Sequence, residues 1–169
     1  IHTTADFDYA DNLVFSQGAV EKALSALKSG AVIVTDTNMA LSGINKKVLK
    51  YVGGAAYCFM ADEDVAEEGK RRGITRAAVS VEKAARLNGD VIFAVGNAPT
   101  ALIAIDRLVK EGKLKPKFII AAPVGFVNVI ESKNLILNGS IPYIVAKGSK
   151  GGSNVAAAIV NALLYKIRG

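Results

Sequence analysis

Five short runs of apolar residues, separated by helix-like stretches, constrain what this chain can fold into. They lie at Ala31–Thr35, Ala56–Met60, Val91–Val95, Phe118–Ala122 and Tyr143–Ala146. None of them alternates apolar with polar residues, which is typical of strands that helices cover on both faces. We therefore expect an α/β fold whose five strands form a mostly parallel sheet.

Amphipathic segments between these runs indicate helices. The predicted helices are Ala19–Leu27, Asp62–Arg72, Thr75–Leu87, Ala98–Glu111 and Asn154–Ile167. Strands that alternate with helices favour right-handed crossovers, with helices on both faces of the sheet. The 169 residues show no linker or internal repeat, so we expect a single domain built as a three-layer α/β/α sandwich. Position 1 is Ile1, and we expect the native chain to begin upstream of it.

The composition excludes several classes of protein. Hydrophobic residues make up 51% of the chain and charged residues 21%, which excludes intrinsic disorder. No apolar run reaches the roughly 18 residues that a membrane span needs, and no secretion leader is visible. The single cysteine, Cys58, excludes an intramolecular disulfide, and we expect it to be a buried strand thiol. These features favour the cytoplasm.

The charge is unevenly distributed along the chain. Residues 1–68 hold five Lys and Arg against ten Asp and Glu, whereas residues 69–169 hold sixteen against five. The basic second part indicates an anionic partner, either a phosphorylated cofactor or a small polycarboxylate. Nucleic acid is not expected, because clustered arginines with interleaved aromatic residues are lacking.

Loops that follow the predicted strands are rich in Gly, Pro, Asn and Ser, and ligands of open parallel sheets bind at this edge. The loop Lys147–Ser153, called here the basic loop, opens the last helix and combines two lysines with glycines. It indicates an anion site, although a flexible capping loop with Ser153 as N-cap explains it too. After the third strand, Asn97 and Thr100 fit helix capping and ligand binding equally well.

His2 is the only histidine, and histidine is the side chain best suited to proton transfer near neutral pH. A lone histidine near a chain start is usually a surface residue. No metal-ligand cluster and no catalytic triad is evident in the spacing. The residues alone therefore indicate an anion-binding α/β domain.

The ordered set of loop motifs resembles the precorrin-8X methylmutase family. The motifs are Ile1-His2, Ala10–Val20, Thr35–Met39 with Ser42–Ile44, Thr75-Arg76, Gly96–Leu102, Pro123–Val127, Glu131–Lys133, Gly151–Ser153 and Asn161–Leu163. They cover nearly the whole chain in order. The resemblance implies a flavodoxin-like sheet of five parallel strands, a homodimer and no cofactor. It also implies an isomerase of cobalamin biosynthesis that moves a methyl group from ring carbon 11 to ring carbon 12 of a corrin precursor.

Site residues follow from the same resemblance. The family's catalytic histidine matches His2, which would protonate the macrocycle, and Arg76 matches an arginine that contacts the substrate. The other implied contacts to the polycarboxylate corrinoid are Asp36, Asn45, Asn97, Thr100, Lys133, Lys147, Lys150 and Ser153. No metal ligand is expected. For the dimer contact, the apolar last helix is the candidate, with a place in the core as its alternative.

Two departures from the family pattern leave alternatives open. Asn45 stands where many relatives have Thr, and the basic loop replaces Arg-Gly-Arg-Arg-Gly-Gly-Ser by Lys-Gly-Ser-Lys-Gly-Gly-Ser. A corrinoid-binding relative without isomerase activity is therefore the first alternative. The second is an α/β module that binds an anion or a nucleotide through the basic loop.

Overall fold

The computed structural model describes residues 1–168 and confirms the α/β fold with a mostly parallel sheet. The sheet has six strands rather than the five expected. They are β1 (Leu13–Phe15), β2 (Val32–Thr35), β3 (Ala56–Tyr57), β4 (Val91–Val95), β5 (Phe118–Ala121) and β6 (Tyr143–Ala146). Their order across the sheet is β1-β6-β5-β4-β2-β3.

The described residues form nine helices. They are α1 (Tyr9–Asn12), α2 (Ala19–Lys28), α3 (Asn38–Gly43), α4 (Lys46–Tyr51), α5 (Glu63–Arg72), α6 (Arg76–Ala84), α7 (Pro99–Lys110), α8 (Val129–Leu137) and α9 (Ser153–Arg168). The five predicted helices correspond to α2, α5, α6, α7 and α9, with ends shifted by at most three residues. None of the described helices is both long and apolar enough to cross a lipid bilayer.

The five parallel strands, counted in chain order, lie in the sequence 2-1-3-4-5, which is the flavodoxin-like arrangement. The additional strand β1 pairs antiparallel with β6, and Leu13 lies opposite Ala146. The sequence pattern missed β1 because it has three residues, of which Phe15 is exposed. Since β1 runs antiparallel, the chain that precedes it lies where the parallel strands end. We call that side of the sheet the carboxyl edge.

Two apolar clusters cover the two faces of the sheet and confirm the three layers. On one face, α2, α4 and α9 pack against side chains such as Ile33 and Ile120. On the other face, α6, α7 and α8 pack against side chains such as Phe93 and Ile119. The last helix contributes five buried residues to the first cluster, among them Val160 and Leu164. The last helix was considered either as a dimer contact or as part of the core, and the structure shows it packed in the core.

Three local expectations are wrong. The apolar run Ala56–Met60 is a strand only over its first two residues, because it forms a short edge beside β2. Cys58 follows that strand and is half-buried, so it is not a buried strand thiol. The segment after β2, expected to be a loop, contains the short helix α3, whose N-cap is Thr37.

Candidate active site

The carboxyl ends of β2 and β4 form the switch point of the fold. The chain after β2 leads to α3 and α4 on one face, whereas the chain after β4 leads to α7 on the other. In open parallel sheets the crevice at such a point is the usual ligand site. Asp36 follows β2 directly, and Gly96 follows β4 directly. These two loops therefore place the candidate site.

The buried side chain of Asp36 links the loop after β2 to the loop after β4. Its carboxylate accepts hydrogen bonds from the backbone N–H groups of Gly96, Asn97 and Ala98 at 2.8, 2.7 and 2.5 Å. Only 5% of the residue is exposed, and this burial raises the pKa of its carboxyl group although the three hydrogen bonds favour the ionised form. The side chain thus holds the start of α7 against the end of β2. Its expected substrate contact stays a prediction.

Gly96 and Ser153 bring β4 and α9 together at the same edge. A Cβ atom at Gly96 would lie 2.6 Å from the Cα atom of Ser153, so only glycine permits this approach. Ser153 is the first helical residue and not the expected N-cap, because Ala156 donates its backbone N–H to the Gly152 carbonyl. The Ser153 hydroxyl lies 2.7 Å from that of Thr37 instead.

The buried side chain of Lys133 binds the backbone of the basic loop. Its ammonium group donates to the carbonyl oxygens of Gly148 at 2.7 Å and Lys150 at 2.8 Å. The residue is 1% exposed, and burial lowers the pKa of its ammonium group to about 8. A side chain so enclosed does not reach a ligand outside the protein in this conformation. The basic loop also bonds to the loop before α8, since Gly152 donates to the Ala122 carbonyl at 2.8 Å.

The segment that carries His2 lies over the basic loop. Lys150 forms ion pairs with the carboxylates of Asp6 at 2.6 Å and Asp8 at 2.5 Å. The Asn12 carbonyl also accepts the backbone N–H of Lys147 at 2.8 Å. These contacts hold residues 6–12 at the carboxyl edge, and the turn ahead of them is closed by the N–H groups of Thr4 and Ala5, which donate to the Ile1 carbonyl. Residues 1–12 are called here the N-terminal segment. His2 itself is exposed within a turn.

Charge pairing changes the electrostatics of this contact. The hydrogen bond from Lys150 lowers the pKa of the Asp6 carboxyl group below its ordinary range. In turn, the carboxylates of Asp6 and Asp8 raise the pKa of the Lys150 ammonium group. Burial and the neighbouring Asp6 raise the pKa of the Tyr9 phenol, whose hydroxyl lies 3.5 Å from the Gly151 carbonyl. The charge of Lys150 is thus already paired with Asp6 and Asp8. The Lys147 side chain, by contrast, is exposed.

Arg76 and Thr100 lie on the side of this edge formed by α6 and α7. Thr75 caps α6 by accepting the backbone N–H of Ala78, and its hydroxyl donates to that of Thr100 at 3.0 Å. Because Thr100 lies in the first turn of α7, just after β4, this bond brings the start of α6 to the carboxyl edge. Arg76 is exposed there as the first residue of α6.

Asn45 is the predicted site residue that the structure holds away from this edge. Its side chain caps α4 by accepting the backbone N–H of Val48 at 3.2 Å, and it donates to the Tyr165 hydroxyl at 3.3 Å. The Asn161 side chain accepts its backbone N–H. Asn161 lies eight residues into α9, about 12 Å along the helix from Ser153. The geometry gives Asn45 a structural role, and its substrate contact stays a prediction.

Sequence reasoning did not single out several residues that build the site. Asp6 and Asp8 pair with Lys150, Thr37 contacts Ser153, and Thr75 contacts Thr100. The N-cap pattern of a polar residue before an apolar helical stretch was the available signal for Thr37 and Thr75. Within residues 1–168, no three His, Cys, Asp or Glu side chains cluster in a way that could hold a metal ion.

Known proteins share both the sequence and the fold of this chain. A family model described as precorrin-8X methylmutase matches residues 1–166. The cobalt-precorrin-8 methylmutase of Salmonella typhimurium is 47% identical over 169 residues, which cover 99% of this chain and 79% of that protein. The cobalt-precorrin-8 methylmutase of Leptospira interrogans is 46% identical over 172 residues, with coverage of 97% and 78%.

A solved structure gives the same result. The precorrin-8X methylmutase of Thermus thermophilus superposes with a TM-score of 0.88 at 38% identity, covering 98% of this chain and 81% of that one. The resemblance found in the loop motifs is thereby confirmed. The chain belongs to the precorrin-8X methylmutase family, a family of isomerases in cobalamin biosynthesis.

Proposed function

We propose that this chain moves a methyl group from ring carbon 11 to ring carbon 12 of precorrin-8X or its cobalt form, at the carboxyl edge of the sheet. One observation carries the proposal: the N-terminal segment with His2 is fixed onto the basic loop by Lys150. This contact supports a site that includes both the only histidine of the chain and its basic loop.

Cationic and N–H groups at this edge suit a substrate with many carboxylates. Lys147 in the basic loop and Arg76 at the start of α6 are both exposed. An arginine can bind a carboxylate through two parallel hydrogen bonds, and a helix start offers free N–H groups to an anion. A polycarboxylate corrinoid therefore accounts for the basic second part of the chain without nucleic acid.

His2 is the proton donor in this proposal. Protonation of the macrocycle promotes migration of the methyl group, after which the same proton must leave again, because the product is an isomer of the substrate. General acid catalysis contributes typically about 10²- to 10⁴-fold. The rest of the acceleration comes from holding one conformer of the substrate. The reaction changes no oxidation state, so the proposal needs no redox cofactor.

The active form in this proposal is a cytoplasmic homodimer. The last helix packs most of its large apolar side chains into its own core. Four exposed apolar side chains instead lie within seven residues at the carboxyl edge, namely Val124, Phe126, Val127 and Ile130. Phe126 is 94% exposed. Apolar surface of this kind is typical of protein–protein contacts, and here it would place the second copy beside the site.

The experiment is an assay with precorrin-8X and with its cobalt form in parallel. We expect conversion to hydrogenobyrinic acid or cobyrinic acid, seen as a change in the visible spectrum at unchanged mass. Binding of hydrogenobyrinic acid without conversion of either substrate would favour the non-isomerising relative. Binding of nucleotides at moderate salt with no corrinoid binding would favour the anion-binding module.

A further inference from the structure

Lys133 is an ammonium group buried without a counter-ion. Its residue is 1% exposed, and among residues 1–168 no carboxylate forms an ion pair with it. Burying an unpaired charge costs free energy, whereas the two hydrogen bonds to carbonyl oxygens stabilise the loop, and the two effects offset each other. Stability of the fold therefore does not explain why this position holds a lysine.

The bonds of Lys133 orient the backbone of the basic loop. Its Nζ atom binds the carbonyl oxygens of Gly148 and Lys150, and the carbonyl between them, that of Ser149, accepts the N–H of Gly125 at 3.1 Å. Three successive carbonyl groups are thus turned toward α8 and the loop before it.

This orientation fixes where the next three N–H groups point. The chain has no cis peptide bond, and in a trans peptide the N–H of a residue points away from the preceding carbonyl. The N–H groups of Ser149, Lys150 and Gly151 therefore face away from Lys133. Within the described residues they donate no hydrogen bond. They stay free for a group outside the loop.

We propose that Lys133 is a positioning residue for the methylmutase reaction: it turns the carbonyl groups of the basic loop inward so that the N–H groups of this loop face a substrate carboxylate. This inference rests on the proposed function. It revises the expected role of Lys133 from a substrate ligand to a residue that acts through the loop. Successive N–H groups that point to one side form a site for an anion.

The test compares Lys133→Met with Lys115→Met. Methionine has nearly the length of lysine but offers no N–H donor. The control residue Lys115 is exposed and lies shortly before β5, and its replacement removes the same charge. We expect Lys133→Met to raise the KM for the corrinoid about tenfold or more. The kcat should stay within about threefold of the parent value, and the melting temperature should not fall. Lys115→Met should leave all three values unchanged.

A KM within twofold of the parent value in a folded Lys133→Met protein would overturn the inference. The inference would also be overturned if Lys133→Met lowered the melting temperature and kcat together while raising the KM. Lys133 would then serve the fold alone. If Lys133→Met does not fold, Lys133→Gln takes its place. Glutamine keeps two N–H donors without the charge, so the KM should then stay within about threefold of the parent value, and a KM about tenfold higher in this folded variant would overturn the inference.

Titration with hydrogenobyrinic acid separates this inference from the proposed function. A parent protein that gives no shift in the visible spectrum contradicts the proposed function itself. A parent protein that binds, with a Lys133→Met variant that binds equally tightly, contradicts only the role of Lys133. About tenfold weaker binding by the variant supports both.

Discussion

The ammonium group of Lys150 lies 2.6 Å from the carboxylate of Asp6, four residues after His2 in the chain. This contact and its counterpart with Asp8 join the basic loop to the N-terminal segment. Lys150 was expected to bind substrate, yet its charge is already paired. A role in holding the segment of His2 therefore competes with a role as a ligand.

The two roles of Lys150 predict different kinetics. If it holds the N-terminal segment, Lys150→Met and the double variant Asp6→Asn with Asp8→Asn should each lower kcat about three- to tenfold. The triple variant should be no worse than either, because all remove the same contact. As a control, Lys110→Met removes a similar ion pair with Asp106 in α7 and should leave kcat unchanged. A raised KM in Lys150→Met alone would assign Lys150 to the substrate.

Asp36 should be essential to the stability of the site. In Asp36→Asn an amide NH₂ replaces one of the oxygens that accept the N–H groups of Gly96, Asn97 and Ala98. We expect a loss of about 2 to 4 kcal/mol in the free energy of unfolding, measured by urea denaturation. The control Asp90→Asn, which weakens an exposed pair with Lys117, should cost less than about 1 kcal/mol. Equal losses would contradict the role given to Asp36.

The buried ammonium of Lys133 predicts a pH dependence of stability. Burial lowers its pKa from 10.5 to about 8. Between about pH 8 and 10.5 the folded chain then binds fewer protons than the unfolded chain, so this group makes the free energy of unfolding rise with pH. The gain is fully present above pH 10.5 and is lost as the pH falls through 8. Urea midpoints at pH 7 and 9 should show this gain in the parent protein but not in Lys133→Met. The same dependence in both would contradict the depressed pKa.

The exposed apolar residues before α8 should govern the oligomeric state. Replacing both Phe126 and Val127 by Ser should convert a dimer to a monomer, because apolar contact area would be lost. Light scattering measures the mass directly. Tyr51→Ser is the control, since Tyr51 is 81% exposed but lies at the end of α4. A dimer that persists in the double variant would place the contact on another surface.

The parallel strands, the main helices and the family were predictable from the sequence because each depends on local patterns. Apolar runs predicted the four longer parallel strands, and helical periodicity predicted α2, α5, α6, α7 and α9. Strand β1 was not predictable, since three residues at an edge give too short a pattern. Helices α3 and α4 were not predicted because each has only six residues, which is too short for a clear helical periodicity.

Site residues were harder to predict because their roles depend on contacts between distant parts of the chain. Lys133 and Lys150 look equivalent in the sequence, yet one is buried under the basic loop and the other is paired with Asp6 and Asp8. Asp36 follows a strand as many ligand-binding acids do. Its partners, 60 to 62 residues away, reveal that it holds the loop between β4 and α7. No local pattern carries that information.

The most direct test of the central claim compares His2→Ala with the parent protein in one assay. Conversion of precorrin-8X and of its cobalt form is followed by visible spectroscopy, together with titration by hydrogenobyrinic acid. We expect His2→Ala to bind hydrogenobyrinic acid as tightly as the parent protein and to convert substrate about 10²- to 10⁴-fold more slowly. Conversion by His2→Ala at the parent rate would contradict the account.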